Sequence, residues 1–180
     1  MDDQKLVYLC RQGDAEALSR IYDTHREHLL ILAMTLTGSM TDAEDVLHDT
    51  FLGFVRNLRS FRLTGTLKGY LSICVANQAR NHRTRASYRK TASLDQAEQL
   101  TAEQFDPVEG AIGNEYVHLL SQAMCQLPLE QREVVALHLF SELPFKEIAK
   151  HVHAPLSTIK SRYRYGIMKL QSILSHEALP

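Results

Sequence analysis

Tryptophan is absent from this chain of 180 residues, and glycine and proline are scarce, at 8 and 5. That shortage excludes a collagen-like or broadly disordered polypeptide. No apolar run approaches the roughly 18 residues that a membrane-crossing helix needs. The opening Met1-Asp2-Asp3-Gln4-Lys5 carries acids where a secretory signal carries positive charge, so a cytoplasmic protein is expected. The three cysteines, Cys10, Cys74 and Cys125, form no C-x-x-C pair, which argues against a disulfide framework and against a zinc ribbon. Among the histidines only His25/His28 and His151/His153 are close, and neither pair has the cysteine or acidic partners of a tetrahedral site. The phosphate-loop, nucleophile-elbow, zinc-protease and dinucleotide fingerprints are all missing. Neither an enzyme nor a metal or cofactor binder is expected.

What the chain does have is 44% hydrophobic residues, enough for one or two modest cores. Its net charge is only −1, yet the charges are segregated. Residues 80–90 hold five bases (Arg80, Arg83, Arg85, Arg89, Lys90) and no acid; residues 91–115 hold six acids (Asp95, Glu98, Glu103, Asp106, Glu109, Glu115) and no base. Residues 146–169 are basic again, with six bases against Glu147 alone. Two cationic surfaces flanking an anionic connector suit a polyanion binder, because counterion release rewards local charge. Ordinary solvated helix faces would give the same pattern.

Periodicity predicts an all-α protein, since no useful stretch alternates with period two. Residues 15–36 place Leu18, Ile21, Tyr22, His25, Leu29, Leu32, Ala33 and Leu36 on one face, and Gly38 stops the helix. Thr41-Asp42-Ala43-Glu44 has the form of a capping box for a second helix, with Leu47, Phe51, Phe54, Val55 and Leu58 as its buried stripe and Asp42, Asp45, His48 and Asp49 on the other side. A loop over residues 60–66 carries Phe61, Arg62 and Gly65, and a third helix starts near Leu67, with Tyr70, Leu71, Cys74, Val75 and Gln78 on one side. Residues 91–105 read as an acidic linker with a helical turn near 95–100, dividing a domain over 1–90 from one over 106–180. Asp106-Pro107-Val108-Glu109 starts a helix by local rules, which should reach Gln126; three more follow at 129–140, 144–152 and from Pro155 or Leu156 to about 174.

The last two helices have helix-turn-helix form. Phe145, Ile148, Ala149 and Val152 face inward, His153-Ala154-Pro155 turns the chain, and Ile159, Tyr163, Ile167, Leu170 and Leu174 stripe the final helix. Ala149 suits the crowded crossing of the pair. Ser157, Thr158, Lys160, Ser161, Arg162, Arg164 and Tyr165 then face outward, hydroxyl and basic groups able to reach phosphates and base edges. Such pairs also occur as plain packing, and the pattern alone leaves both readings open.

Three blocks carry a family resemblance: Leu127-Pro128-Leu129-Glu130-Gln131-Arg132-Glu133-Val134-Val135-Ala136-Leu137, Phe145-Lys146-Glu147-Ile148-Ala149 and Pro155-Leu156-Ser157-Thr158-Ile159-Lys160-Ser161-Arg162. Together they closely resemble the −35-reading domain of bacterial RNA polymerase sigma factors. Asp42-Ala43-Glu44-Asp45-Val46-Leu47-His48-Asp49-Thr50-Phe51 resembles the family's polymerase-clamp-binding helix, and Tyr70-Leu71 through Asn77 to Arg83 and Arg85 its promoter-melting and −10 segment. With only these two domains, the chain resembles the extracytoplasmic-function group. It departs from the usual pattern at Tyr70 (tryptophan), His48 (glutamine), His153 and Ser157 (glycine).

The resemblance implies a protein that does no bond chemistry, docks on core polymerase, brings it to promoters and stabilises the opened strand. Asp45, His48 and Asp49 would meet the clamp. Phe61, Arg62 and Thr64 would form a pocket for an unstacked base, although Phe61 reads equally well as core, and Tyr70, Asn77, Arg80, Arg83 and Arg85 would hold the −10 region. Ser157, Thr158, Lys160, Ser161, Arg162 and Arg164 would read −35 duplex. An anti-sigma factor is an implied partner, and the acidic linker would either thread the RNA-exit path or serve as a solvated spacer. Two competitors are a stand-alone helix-turn-helix regulator, which gives Asp45–Phe51 no task, and a decoy that titrates an anti-sigma factor, against which the retained Lys160, Ser161, Arg162 and Arg164 argue.

Overall fold

The chain closes its first helical pair with local caps. In a computed structural model that describes residues 3–92 and 115–177, helix α1 (Asp3–Arg11) precedes α2 (Ala15–Thr37), whose N-terminus is capped by Asp14 accepting from the backbone N–H of Glu16 and Ala17. Gly38 ends α2 in the left-handed region at φ 79°, its N–H bonded to Met34 O at 2.8 Å. One residue later Ser39 caps α3 (Met40–Asn57) by accepting from Asp42 N. The cap therefore lies two residues before the expected Thr41, because Ser39 is already extended while Thr41 is already helical. Helix α4 (Leu67–Ala92) follows the loop and continues through residues 91 and 92, which the sequence assigned to the linker.

Two expectations about burial are corrected. Val55 is exposed, since the buried arc of α3 runs through Ala43, Val46, Leu47, Thr50, Phe51 and Phe54 and leaves residue 55 on its edge. Tyr22 is also exposed, and leans on Phe51 at 4.8 Å. Helix α1, which periodicity did not predict, buries Leu6, Val7 and Cys10.

The second domain comprises α5 (Glu115–Cys125), α6 (Leu129–Leu139), α7 (Phe145–His151) and α8 (Leu156–Glu177). The expected start of α5 at Asp106, and the helical turn near 95–100, lie outside the described residues. Arg132, buried on α6, closes the end of α5 by donating Nη2 to the carbonyls of Cys125 and Leu127, which satisfies acceptors that a helix terminus leaves orphaned. Helix α7 ends in a Schellman turn: Val152 N bonds Ile148 O, Ala154 N bonds Ala149 O at 3.1 Å, and His153 sits at φ 52°. Histidine takes the place of glycine there because it tolerates the left-handed region better than most residues.

Helices α2, α3 and α4 pack on one another around Ile21, Leu29, Leu32, Phe54, Leu71 and Val75, while α5, α6 and α7 gather on α8 around Met124, Leu137, Ile148 and Ile159. Each such side chain contributes about 1.5–3 kcal/mol by leaving water. The two groups also touch, α2 against α5 and α6, and α4 against α6. Among the described residues no strand occurs, and no helix is long and apolar enough to cross a membrane.

Candidate nucleic-acid interface

On α3 the apolar arc faces inward, which by helical geometry turns Asp45, His48 and Asp49 to the opposite side, all three exposed. Leu52, one turn further on that side, is 38% exposed, an apolar group next to an acidic patch that periodicity had not singled out. Asp42 is only half exposed and stands 3.8 Å from His82 Nδ1 of α4.

The loop between α3 and α4 is held from outside by α1. Arg11 Nε donates to Leu58 O at 3.0 Å, and the Asp3 carboxylate accepts from Leu67 N at 3.0 Å, so α1 ties both ends of the loop and caps α4. Beneath the loop Phe61 meets Tyr70 in a tilted contact at 4.3 Å and Phe54 edge-on at 5.6 Å. Burial, with Cys74 alongside, pushes the Tyr70 phenol up to about 12, so it stays neutral. Above the loop, a groove of about 460 Å³ is lined by Gln4, Val7, Tyr8, Arg11, Phe61, Arg62 and Leu63. Phe61 therefore belongs to the core on one face and to the groove on the other. Thr64 is exposed outside it. Tyr8, 59% exposed, and Arg11 were missed in the sequence; the spacing of Leu6, Val7 and Cys10 was the signal that would have put them on the outer face of a helix.

Helix α4 carries its basic residues in two settings. Asn77 and Arg85 are exposed. Arg80 is ion-paired with Glu133 of α6, and Arg83 is half-buried, where burial and then Arg132 push its pKa down. The structure thus turns Arg80 and Arg83 toward the second domain.

On α8 the phase is resolved by Tyr163, which packs on His138 at 4.9 Å and Phe145 at 5.1 Å. Ser157, Lys160 and Arg164 are exposed, and Thr158 and Ser161 are half-buried with Ser161 Oγ donating to Thr158 O at 2.9 Å. Arg164 lies over the exposed Tyr165 ring at 5.0 Å, a cation–π contact. Arg162 points back to α6, donating Nη2 to Glu130 at 2.5 Å. Helix α8 comes close to α6 at Gly166, where a Cβ would fall 2.7 Å from Val135 Cγ2. Gly166, which sequence pattern did not mark, is a position where α8 and α6 leave no room for a side chain. No group of three or more His, Cys, Asp or Glu among the described residues is placed to hold a metal.

The family model Sigma-70 region 2 matches residues 21–89, and Sigma-70, region 4 matches residues 118–170. The chain is 23% identical over 171 residues to the ECF RNA polymerase sigma factor SigW of Bacillus subtilis, covering 91% of each protein. To the ECF RNA polymerase sigma factor SigM of Mycobacterium tuberculosis it is 26% identical over 174 residues, covering 97% of this chain and 85% of that one. Among solved structures, the sigma factor RpoE of Bartonella quintana, crystallised with the anti-sigma factor NepR, superposes with TM-score 0.64 at 25% identity, over 86% of this chain and 98% of that one. CnrH, solved with the cytosolic domain of CnrY, shares the fold with TM-score 0.68 at 19% identity, over 98% of this chain and 99% of its own.

Proposed function

The chain belongs to the sigma-70 family of RNA polymerase sigma factors, in its extracytoplasmic-function group, and from that membership we propose a division of labour among its surfaces. The protein binds core RNA polymerase and directs promoter-specific initiation. Its work is done by binding, and the family to which it belongs is not one of enzymes.

The exposed acidic face of α3, Asp45, His48 and Asp49 with Leu52 beside it, docks on the polymerase clamp, where complementary charge sets encounter rate and partner choice. The groove over the loop takes a base flipped from the melted −10 strand. About 460 Å³ is ample for one base, Phe61 and Tyr8 offer aromatic faces, and Arg62 and Arg11 supply positive charge. Asn77, Arg80, Arg83 and Arg85 hold the adjoining backbone, and the N-terminal turns of α8 read the −35 duplex through Ser157, Thr158, Lys160, Ser161 and Arg164, with Arg162 set by Glu130. An anti-sigma factor is a further partner, by analogy with the RpoE–NepR pair. The cell compartment is the cytoplasm, where the polymerase works.

The observation that carries this reading is the match of both regions, in order, on one chain whose acidic α3 face is left exposed. A stand-alone helix-turn-helix regulator gives the first region no task. The test is retention of core polymerase by the immobilised chain, followed by transcription in vitro from promoter fragments selected with the reconstituted holoenzyme. Polymerase-dependent initiation is expected; sequence-specific duplex binding with no effect of polymerase would overturn the reading.

A further inference from the structure

Two arginines stand two residues apart on α8 and are held differently. Arg162 is paired with Glu130, whereas among the described residues no carboxylate pairs with Arg164. Its neighbour Tyr165 holds it instead: the guanidinium carbon lies 5.0 Å from the ring centroid, and Arg164 Nη2 donates to Tyr165 Oη at 3.2 Å. Both contacts are made in the open, since Arg164 is exposed and Tyr165 is 52% exposed. The Tyr165 ring has no part in the core, which α8 meets through Ile159, Tyr163 and Leu170. Tyr165 Oη accepts from the guanidinium, so its own hydrogen stays available, and Arg164 keeps the rest of its N–H fork. The pair thus presents two kinds of donor outward, one of them charged, and an anionic oxygen suits both. Its place on the helix selects the acceptor. Base edges are met by the first turns of a recognition helix. Arg164 lies about 12 Å along the axis from Leu156, and the major groove is itself about 12 Å wide, so that turn of α8 stands against the groove wall, where the phosphates are.

We propose that Arg164 and Tyr165 form a single clamp on one DNA phosphate at the edge of the −35 element. Arg164 supplies the charge; Tyr165 positions the guanidinium and donates its hydroxyl hydrogen to another oxygen of the same phosphate. The inference rests on the assignment of α8 to the −35 duplex, and deepens it by separating the side chains that read from those that hold. Selectivity stays with Ser157, Thr158, Lys160 and Ser161 on the first turns, while the clamp strengthens binding to every sequence alike and fixes where the helix sits along the groove wall. Stacking on Tyr165 also restricts the long Arg164 side chain before DNA arrives, which lowers the entropy lost on binding.

The test uses the full chain reconstituted into holoenzyme, as wild type, Arg164→Ala, Tyr165→Phe, Tyr165→Ala and the double variant Arg164→Ala with Tyr165→Phe. Affinity for a promoter duplex is measured against salt concentration and against single-base changes through the −35 element. It is measured again on duplexes carrying one methylphosphonate, an uncharged phosphate substitute, at successive positions. Arg164→Ala should weaken binding about tenfold on every sequence alike and reduce the salt dependence by about one unit. Tyr165→Phe keeps the ring under the guanidinium and loses the hydroxyl, so a loss of about threefold with unchanged salt dependence is expected, and Tyr165→Ala should lose more. Added to Arg164→Ala, Tyr165→Phe should cost less than it does alone, because the two act on one phosphate. One methylphosphonate position should weaken the wild type about tenfold and leave Arg164→Ala nearly unaffected. If Arg164→Ala relaxes selectivity at one base pair, or both Tyr165 variants bind as the wild type does, the clamp is wrong. It is equally wrong if no methylphosphonate position distinguishes the wild type from Arg164→Ala. In each case the assignment of α8 stands so long as −35 base changes weaken the wild type; a wild-type holoenzyme indifferent to all of them would sink both.

Discussion

Gly166 and Val135 share one small volume. A Cβ at 166 would fall 2.7 Å from Val135 Cγ2 and 3.5 Å from Gln131 Cβ, and Val135 is fully buried. Gly166→Ala gains helix propensity of about 1 kcal/mol yet overpacks the crossing by about 1–3, so a net loss of up to about 2 kcal/mol is expected, read as a lower melting temperature. Adding Val135→Ala should bring the pair closer to additivity than to rescue if the crossing relaxes, and a recovery of melting temperature in the double mutant would show that it does not. Tyr163 and Arg164, neighbours in sequence, should behave oppositely. Tyr163→Ala removes a ring wedged between His138 and Phe145 and should cost about 2–3 kcal/mol of stability, less than a fully buried aromatic because Tyr163 is only partly covered. Arg164→Ala should leave melting unchanged and cost about 1–3 kcal/mol of promoter binding if it meets a base edge, or reduce the salt dependence by about one unit if it meets a phosphate. The phase separating these two residues was legible, since a 3.6-residue period fixes which of two adjacent side chains faces inward. Glu133 was not, because Gln131-Arg132-Glu133 reads in sequence as a solvated face, and nothing local says that another domain will cover it.

Helices carry the division between what pattern reveals and what it hides. The long stripes of α2, α3, α4 and α8 were readable because each repeats over several turns. Helix α1, with three buried residues in nine, is too short to declare itself, although it is what ties the loop bearing Phe61 and Arg62. The double change Asp3→Ala with Arg11→Ala should therefore spare the packing of α2 on α3 and α4 but loosen the loop at both ends. Weaker binding of a single-stranded −10 oligonucleotide, with −35 duplex binding unchanged, is the expected outcome in a fluorescence titration. On α3, Asp45→Lys with Asp49→Lys should abolish retention of core polymerase and leave helical content intact, since both side chains are exposed and carry no packing. Normal transcription by that double mutant would place the clamp contact elsewhere.

For the whole molecule, the contact between domains makes stability depend on pH. His28, between Ser72 at 3.1 Å and Ser141, is lowered to about 4 by burial first and then by Lys68 and His25, with Glu142 pulling the other way. Ser72 Oγ donates to Lys68 O, so it accepts from His28 Nε2–H, which sets the Nε2–H tautomer of the ring when neutral. Between about pH 6.5 and the folded value near 4 the unfolded chain binds a proton that the folded chain refuses, so stability is full above 6.5 and falls as pH drops through that window. Melting temperature should decline from pH 7 to pH 5, and His28→Asn should flatten the decline. The pairing of Arg80 with Glu133 also has a history within each molecule. The two residues are 53 positions apart, so at about 5–20 residues per second the ribosome delivers Glu133 about 3–11 s after Arg80. During those seconds the nascent chain displays helix α4 with the Arg80 guanidinium uncovered by its partner. While synthesis runs from Arg83 to Phe105 the polypeptide is also more cationic than the finished chain, and then most prone to stick to the nucleic acid around it.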